Sequence, residues 1–144
     1  MHLRSHNSGA RRILITGGIH GNEPVGVTAN LELFANLYDS PWRRYFDFTF
    51  VPALNPGGLR DNFRTLRDGS DLNRQFKGKF PNGLHVLQKY LKKHKYTMSL
   101  DLHGAKMRKG FFVIKGGPDR GLVKMSLKAL DPKLLLSSDS GTYP

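Results

Sequence analysis

The sequence has no cysteine. Disulfides and thiolate metal sites are therefore excluded, and any metal site must draw on His, Asp or Glu. Long apolar runs are missing as well. The strongest, Ile13 to Ile19, is broken by Thr16, Gly17 and Gly18, and is too short and too polar for a membrane span or a signal-peptide core. With no membrane partner indicated and no thiols, the chain reads as soluble and cytoplasmic. Acidic residues are scarce: 11 Asp and Glu stand against 23 Lys and Arg, for a net charge of +12. Glutamate occurs only at Glu23 and Glu32. There is no G-x-G-x-x-G and no Walker lysine, which disfavours a nucleotide-binding fold. Internal repeats and low-complexity linkers are absent too.

The charge excess points to an anionic partner: nucleic acid, an anionic surface or a carboxylate substrate. Lysines solvating a surface, or acidic residues in another part of a longer parent, explain the same number. Charge alone does not choose among these readings.

What is present is enough for one domain with a core: 144 residues, 38% of them hydrophobic. Residues 1–10 read as a flexible, basic lead. Arg12 to Ile19 reads as a buried strand ending in Gly-Gly. A turn follows, and a helix starts near Glu23, with Pro24 suited to a first helical position. Val27, Leu31, Phe34 and Tyr38 recur at helical spacing and predict its inward face. Tyr45 to Leu54 predicts a second strand. Asn55 to Pro81 shows little periodicity and reads as a functional loop. Leu84, Leu87 and Leu91 predict a helix with Lys89, Lys92 and Lys93 outward. Tyr96 to Leu102 and Phe111 to Ile114 predict strands, Leu122 to Leu130 a helix, and Leu134 to Leu136 a last strand. Strands alternating with helices indicate an α/β layered fold.

His20 and Glu23 stand in HGNE, just past the first strand, and His103 ends a later strand in SLDLHG. Open α/β sheets carry functional groups at strand ends. Two close ligands and one distant ligand suit a catalytic zinc site, with the fourth position left for a water that zinc acidifies. His2, His6, His85 and His94 lack such a setting and read as surface residues.

The stretch NPGGLRDNFRTLRDGSDLNRQF carries Arg60, Arg64, Arg67 and Arg74. A guanidinium fork matches a carboxylate in two-point contact, and Asn73 beside Arg74 adds a neutral donor. A further arginine can stabilise an oxyanion. The competing reading is a basic loop on phosphates or on nothing.

HGNE, then DLNR, then DLHG, in this order, resembles the zinc carboxypeptidase superfamily, including its succinylglutamate desuccinylase/aspartoacylase branch. The resemblance runs from about Arg12 to about Ile114. It implies a three-layer α/β/α fold with a mostly parallel or mixed sheet, phosphorylase/hydrolase-like, and one Zn2+. It implies zinc ligands His20, Glu23 and His103, and Asn73 and Arg74 on the substrate carboxylate. It also implies Asp71 orienting His20, and Arg67 or Arg64 polarising the carbonyl, with Arg67 preferred on spacing. Gly57 departs from the carboxypeptidase NPDG, and the compact spacing of the histidines is nearer the deacylases, so the branch stays open.

The family also needs a glutamate after the third ligand. Here only Asp119, Asp131 and Asp139 follow His103, none in a family context. The chain therefore reads as the N-terminal portion, 1–144, of a longer catalytic domain. The expected activity is hydrolysis of an amide bond next to a free carboxylate, on a small peptide or an N-acyl amino acid. A zinc-binding fragment without turnover is the alternative. A basic nucleic-acid-binding protein is weaker, since no aromatic-rich nucleic-acid motif is present.

Overall fold

A computed structural model describes residues 1–76, 84–105, 110–114, 116–117 and 121–135. The chain divides into two compact units, Met1–Gly104 and Ala105–Pro144.

The first unit is α/β. Strand β1 (His2–Leu3) leads to β2 (Arg11–Gly17), helix α1 (Pro24–Tyr38), a 3-10 turn (Pro41–Arg44) and β3 (Phe46–Val51). Helix α2 (Pro56–Asp61), a second 3-10 turn (Leu72–Arg74), helix α3 (His85–Lys93) and β4 (Met98–Leu102) complete it. The sheet is mixed, in the order β1-β3-β2-β4. β2 is parallel to both β3 and β4, and β1 runs antiparallel to β3. The lead expected to be flexible thus supplies an edge strand. Its Leu3 is buried among Ile13, Ile15, Phe48 and Phe50, an apolar anchor inside an otherwise polar stretch.

Alternation along β2 sends Ile13 and Ile15 to one face, in register with Phe48 and Phe50 of β3. α1 covers that face with Leu33, Phe34 and Leu37, and Phe34 meets Phe50 edge-on at 5.3 Å between ring centres. Full burial of a side chain such as Phe50 stabilises the fold by about 1.5–3 kcal/mol. Leu14, Thr16 and Thr49 on the opposite face are also buried.

The inward face of α1 agrees with the predicted one at Val27 and Phe34 and departs from it elsewhere. Leu31 and Tyr38 are exposed, and the fully buried positions are Gly26 and Asn30. The helix runs too close to the sheet for large side chains there: a Cβ on Gly26 would overlap the Leu102 carbonyl. Asn30 instead donates Nδ2–H to the Ile15 carbonyl at 3.2 Å.

The predicted 55–81 loop holds two short helical pieces, α2 and the 72–74 turn. Pro56 starts α2, and the Asn55 side chain accepts from Gly58 N–H at 2.9 Å. Asn62 ends it in the left-handed conformation, φ 56°. Residues 77–81 lie outside the described residues. A second apolar cluster, Ile19, Leu54 and Leu72, supports the loop, with Leu66, Leu84 and Leu87 packed on it. Lys89, Lys92 and Lys93 are exposed on α3, as expected.

In the second unit, helix α4 (Gly121–Lys128) falls where a helix was predicted. The strand expected over 111–114 pairs only at Phe111, with Leu135, among the described residues. Pro132–Leu134 forms a 3-10 turn rather than the start of a strand, because Pro132 sets a helical φ and Asp131 caps it from Lys133 N–H. Leu136, Asp119 and Asp139 lie outside the described residues. No helix among the described residues is long and apolar enough to cross a membrane.

Candidate metal centre

The site forms where β2 and β4, two parallel neighbours, end side by side. Past β2, Gly18 turns with φ 59° and delivers Ile19 and His20 into buried positions. The chain then folds on itself: Glu23 N–H donates to the His20 carbonyl and Gly26 N–H to the Glu23 carbonyl, each at 3.2 Å. Glu23 is thus held at the head of α1. Past β3, Leu54 and Asn55 donate backbone N–H groups to the Gly17 and Gly18 carbonyls at 3.0 and 2.9 Å. That pairing sets NPGG against HGNE so closely that a Cβ on Gly21 would overlap backbone atoms of Gly58 and Leu59.

The Glu23 carboxylate is the hub. Its Oε1 lies 2.9 Å from His20 Nδ1 and its Oε2 lies 2.9 Å from His103 Nδ1. Gly104 N–H donates to the same Oε2 at 3.0 Å. The two imidazoles stand 5.0 Å apart between ring centres. One ligand atom from each of His20, Glu23 and His103 falls within 4.8 Å of the others.

The far nitrogen of each ring is held by an aspartate. His20 Nε2 lies 3.2 Å from Asp71 Oδ1, and His103 Nε2 lies 2.9 Å from Asp101 Oδ2. Asp71 also accepts from Asn73 N–H at 2.9 Å. Thr16 donates its hydroxyl to Asp101 Oδ1 at 2.7 Å. The hydrogen bond to Asp101 raises the pKa of His103 above its ordinary value, against a lowering by burial. Burial acts to raise both aspartates, but hydrogen bonds outweigh it and hold them below the usual carboxylate value. Those bonds come from Asn73 and His20 at Asp71, and from His103 and Thr16 at Asp101.

Two imidazole nitrogens and one carboxylate oxygen form a donor set suited to zinc. Since Nε2 of each ring is engaged by an aspartate, Nδ1 is the atom each ring offers. The residues present therefore fit the ion the sequence implies.

Of the loop arginines, Arg64 reaches this cluster. Its Nη1 lies 3.3 Å from Glu23 Oε1 and its Nη2 3.3 Å from Asp71 Oδ2. Arg67, preferred on spacing, is exposed on the following turn and makes no hydrogen bond or ion pair to the cluster among the described residues. Arg60 is paired with its neighbour Asp61 at 2.6 Å. Asn73 and Arg74 follow Asp71 on the 3-10 turn, with no side-chain contact to the cluster among the described residues. Among the other histidines, His94 is half-buried and stacked on Tyr90 at 4.1 Å.

Sequence reasoning missed Asp101 and Thr16. The signal was there: in extended chain, positions 101 and 103 point to the same side, so a carboxylate two positions before a histidine at a strand end can reach its ring.

The catalytic-domain model of succinylglutamate desuccinylase/aspartoacylase matches residues 9–140. The chain belongs to that family. Among relatives of the chain, succinylglutamate desuccinylase of Photorhabdus laumondii is 33% identical over 82 residues, 57% of this chain and 24% of that protein. An aspartoacylase family protein from Mesorhizobium loti superposes with a TM-score of 0.57 at 30% identity, over 69% of this chain and 32% of its own. A metallo-carboxypeptidase from Pseudomonas aeruginosa, in complex with (2-guanidinoethylmercapto)succinic acid, shares the fold. Its TM-score is 0.52 at 22% identity, over 72% of this chain and 30% of its own. The matches span 24–32% of the length of these proteins.

Proposed function

We propose that this chain carries the metal-binding part of a zinc hydrolase that cleaves an amide bond next to a free carboxylate, with N-acyl amino acids as its substrate class. The observation that carries the reading is the convergence of His20, Glu23 and His103 on one point, with an aspartate behind each ring. Family membership favours a deacylase over a carboxypeptidase. The dicarboxylate on the Pseudomonas aeruginosa protein, which shares the fold, supports a carboxylate-bearing ligand.

Zinc held by the three ligands supplies Lewis acidity, which acidifies water and polarises a carbonyl oxygen. The protein's own residues do the rest. Asp71 orients His20. Arg64, already at the ligands, is the group we assign to the developing oxyanion, in place of Arg67. Asn73 and Arg74 bind the substrate carboxylate in two-point fashion.

A proton must still pass from water to the leaving amine. Glu23 is committed as a ligand, and Glu32 is exposed on α1. Asp71 and Asp101 are committed to histidines. Among the described residues no further carboxylate contacts the cluster. Residues 1–144 are therefore expected to bind zinc and hydrolyse slowly, since a missing proton carrier costs about 10²–10⁴ in rate. That same feature favours the second reading, a zinc-binding fragment without turnover.

The test pairs zinc titration with hydrolysis of N-acyl amino acids and their amidated counterparts. Stoichiometric zinc, lost in His20→Ala, with slow turnover confined to the free carboxylates is the expected result. Zinc uptake with no turnover at all selects the second reading. No zinc uptake removes both.

A further inference from the structure

β4 and β2 run parallel, with Thr16 directly beside Asp101 in the register. The two side chains share a face, and the Thr16 hydroxyl, buried in the sheet, donates to Asp101 Oδ1 at 2.7 Å. A second acceptor, the Leu100 carbonyl, lies farther off at 3.3 Å. The other oxygen of Asp101 faces His103 Nε2 at 2.9 Å. The three residues form a chain: hydroxyl to carboxylate, carboxylate to imidazole. At its far end His103 Nδ1 points to Glu23.

We propose that Thr16 and Asp101 are positioning residues that fix the ring orientation of His103, so that its Nδ1 is the atom presented for metal. This rests on the zinc reading above. Asp101 accepts from Nε2–H and so fixes the plane of the ring, which turns Nδ1 toward Glu23 and the point where the ligand atoms converge. It also raises the basicity of the ring. Thr16 in turn stops the carboxylate from rotating, because β2 is a central strand and its hydroxyl cannot move without the sheet. The site thus has two supports of different kinds. Asp71 sits on a loop and steadies His20. Asp101 sits on a strand, braced from the neighbouring strand, and steadies His103.

The variants Asp101→Ala, Asp101→Asn, Thr16→Val and Thr16→Ser separate these roles. Asparagine keeps an acceptor for Nε2–H and removes the charge. Valine keeps the shape of threonine and removes the hydroxyl. Serine restores the hydroxyl. Zinc affinity is read by competition with a chelator, and the exchange protection of the His103 Nε2–H by NMR of the metal-free chain. Zinc affinity should fall about 10–100-fold in Asp101→Ala, and less in Asp101→Asn. It should fall about threefold to tenfold in Thr16→Val, with recovery in Thr16→Ser. The Nε2–H resonance of His103 should be observed in the wild type, protected by its bond to Asp101, and be lost to solvent exchange in Asp101→Ala. Should Asp101→Ala not fold, Asp101→Asn and Thr16→Val carry the test. Wild-type zinc affinity and unchanged Nε2–H protection in Thr16→Val and the Asp101 variants would overturn the inference. A wild-type chain that takes up no zinc overturns the site reading instead, and the Nε2–H protection still decides the positioning.

Discussion

Gly21→Ala puts the geometry of the centre to a direct test. A methyl group there would meet the Gly58 carbonyl and the Leu59 nitrogen, which are backbone atoms at the start of α2. They cannot yield as the end of a flexible side chain can. HGNE and NPGG must therefore part, which carries His20 and Glu23 away from His103. Forcing extra atoms into a packed site costs about 1–3 kcal/mol. Zinc tolerates departures of only about 0.2 Å in its ligand distances. The expected zinc affinity is about 10–100-fold lower, the loss typical when the support of a ligand is disturbed. Gly57→Ala is the matched control, since a Cβ there meets no atom within 4 Å. Inside α2 that change should be neutral, or stabilise by about 0.5–1 kcal/mol. Urea unfolding and chelator competition measure the two effects. If Gly21→Ala matched the wild type in both, the close approach of the two motifs would not be what sets the ligands, and the reasoning would fail.

Arg74→Ala should weaken binding of a dicarboxylate such as succinate to the zinc-loaded chain by about 1.5–3 kcal/mol, measured calorimetrically, with zinc affinity unchanged; an unchanged succinate affinity removes Arg74 from the carboxylate site. Asn30→Ala should cost about 1–3 kcal/mol in urea unfolding, because the tie from α1 to the Ile15 carbonyl is lost in a fully buried place. The pH dependence of the metal-free chain has two limbs. Asp71 and Asp101 have lowered pKa values, so their stabilisation is complete above the ordinary value of 3.8 and is lost as pH falls through their folded values. His103 has a raised pKa, so its contribution is complete below 6.5 and is lost as pH rises through its folded value. Unfolding curves across pH should show both limbs in the presence of a chelator, and Asp101→Ala should flatten the alkaline one.

Much of this was legible in the residues. β2 and β4 announce themselves by short apolar runs that end in the motif residues, and the distant ligand pair needs only parallel neighbours to meet. α2 was not legible, since Pro-Gly-Gly has weak helix propensity and reads as a turn. It forms because Asn55 caps it and Leu54 anchors its start. The inward face of α1 was misread for a related reason. Hydrophobic spacing marks large residues, whereas close approach to the sheet selects Gly26 and Asn30. Arg64 and Arg67 both satisfy the motif in sequence, and only the turn between them decides which one reaches Glu23. Asp101 was less legible, because only the parallel pairing of β4 with β2 sets Thr16 against it.

β4 has one described strand neighbour, β2, and its Ser99, Leu100 and Asp101 are exposed. With β1 it is one of the two edge strands among the described residues, and edge segments open before the core does. Peeling removes His103 and Asp101 together. It leaves His20, Glu23, Asp71 and Arg64 in place on the parts of the sheet that β1 to β3 hold. Release of a bound ion then requires the fraying of a single ribbon rather than global melting. The lifetime of the ion would be set by the opening rate of β4, and amide exchange along residues 98–102 would report it.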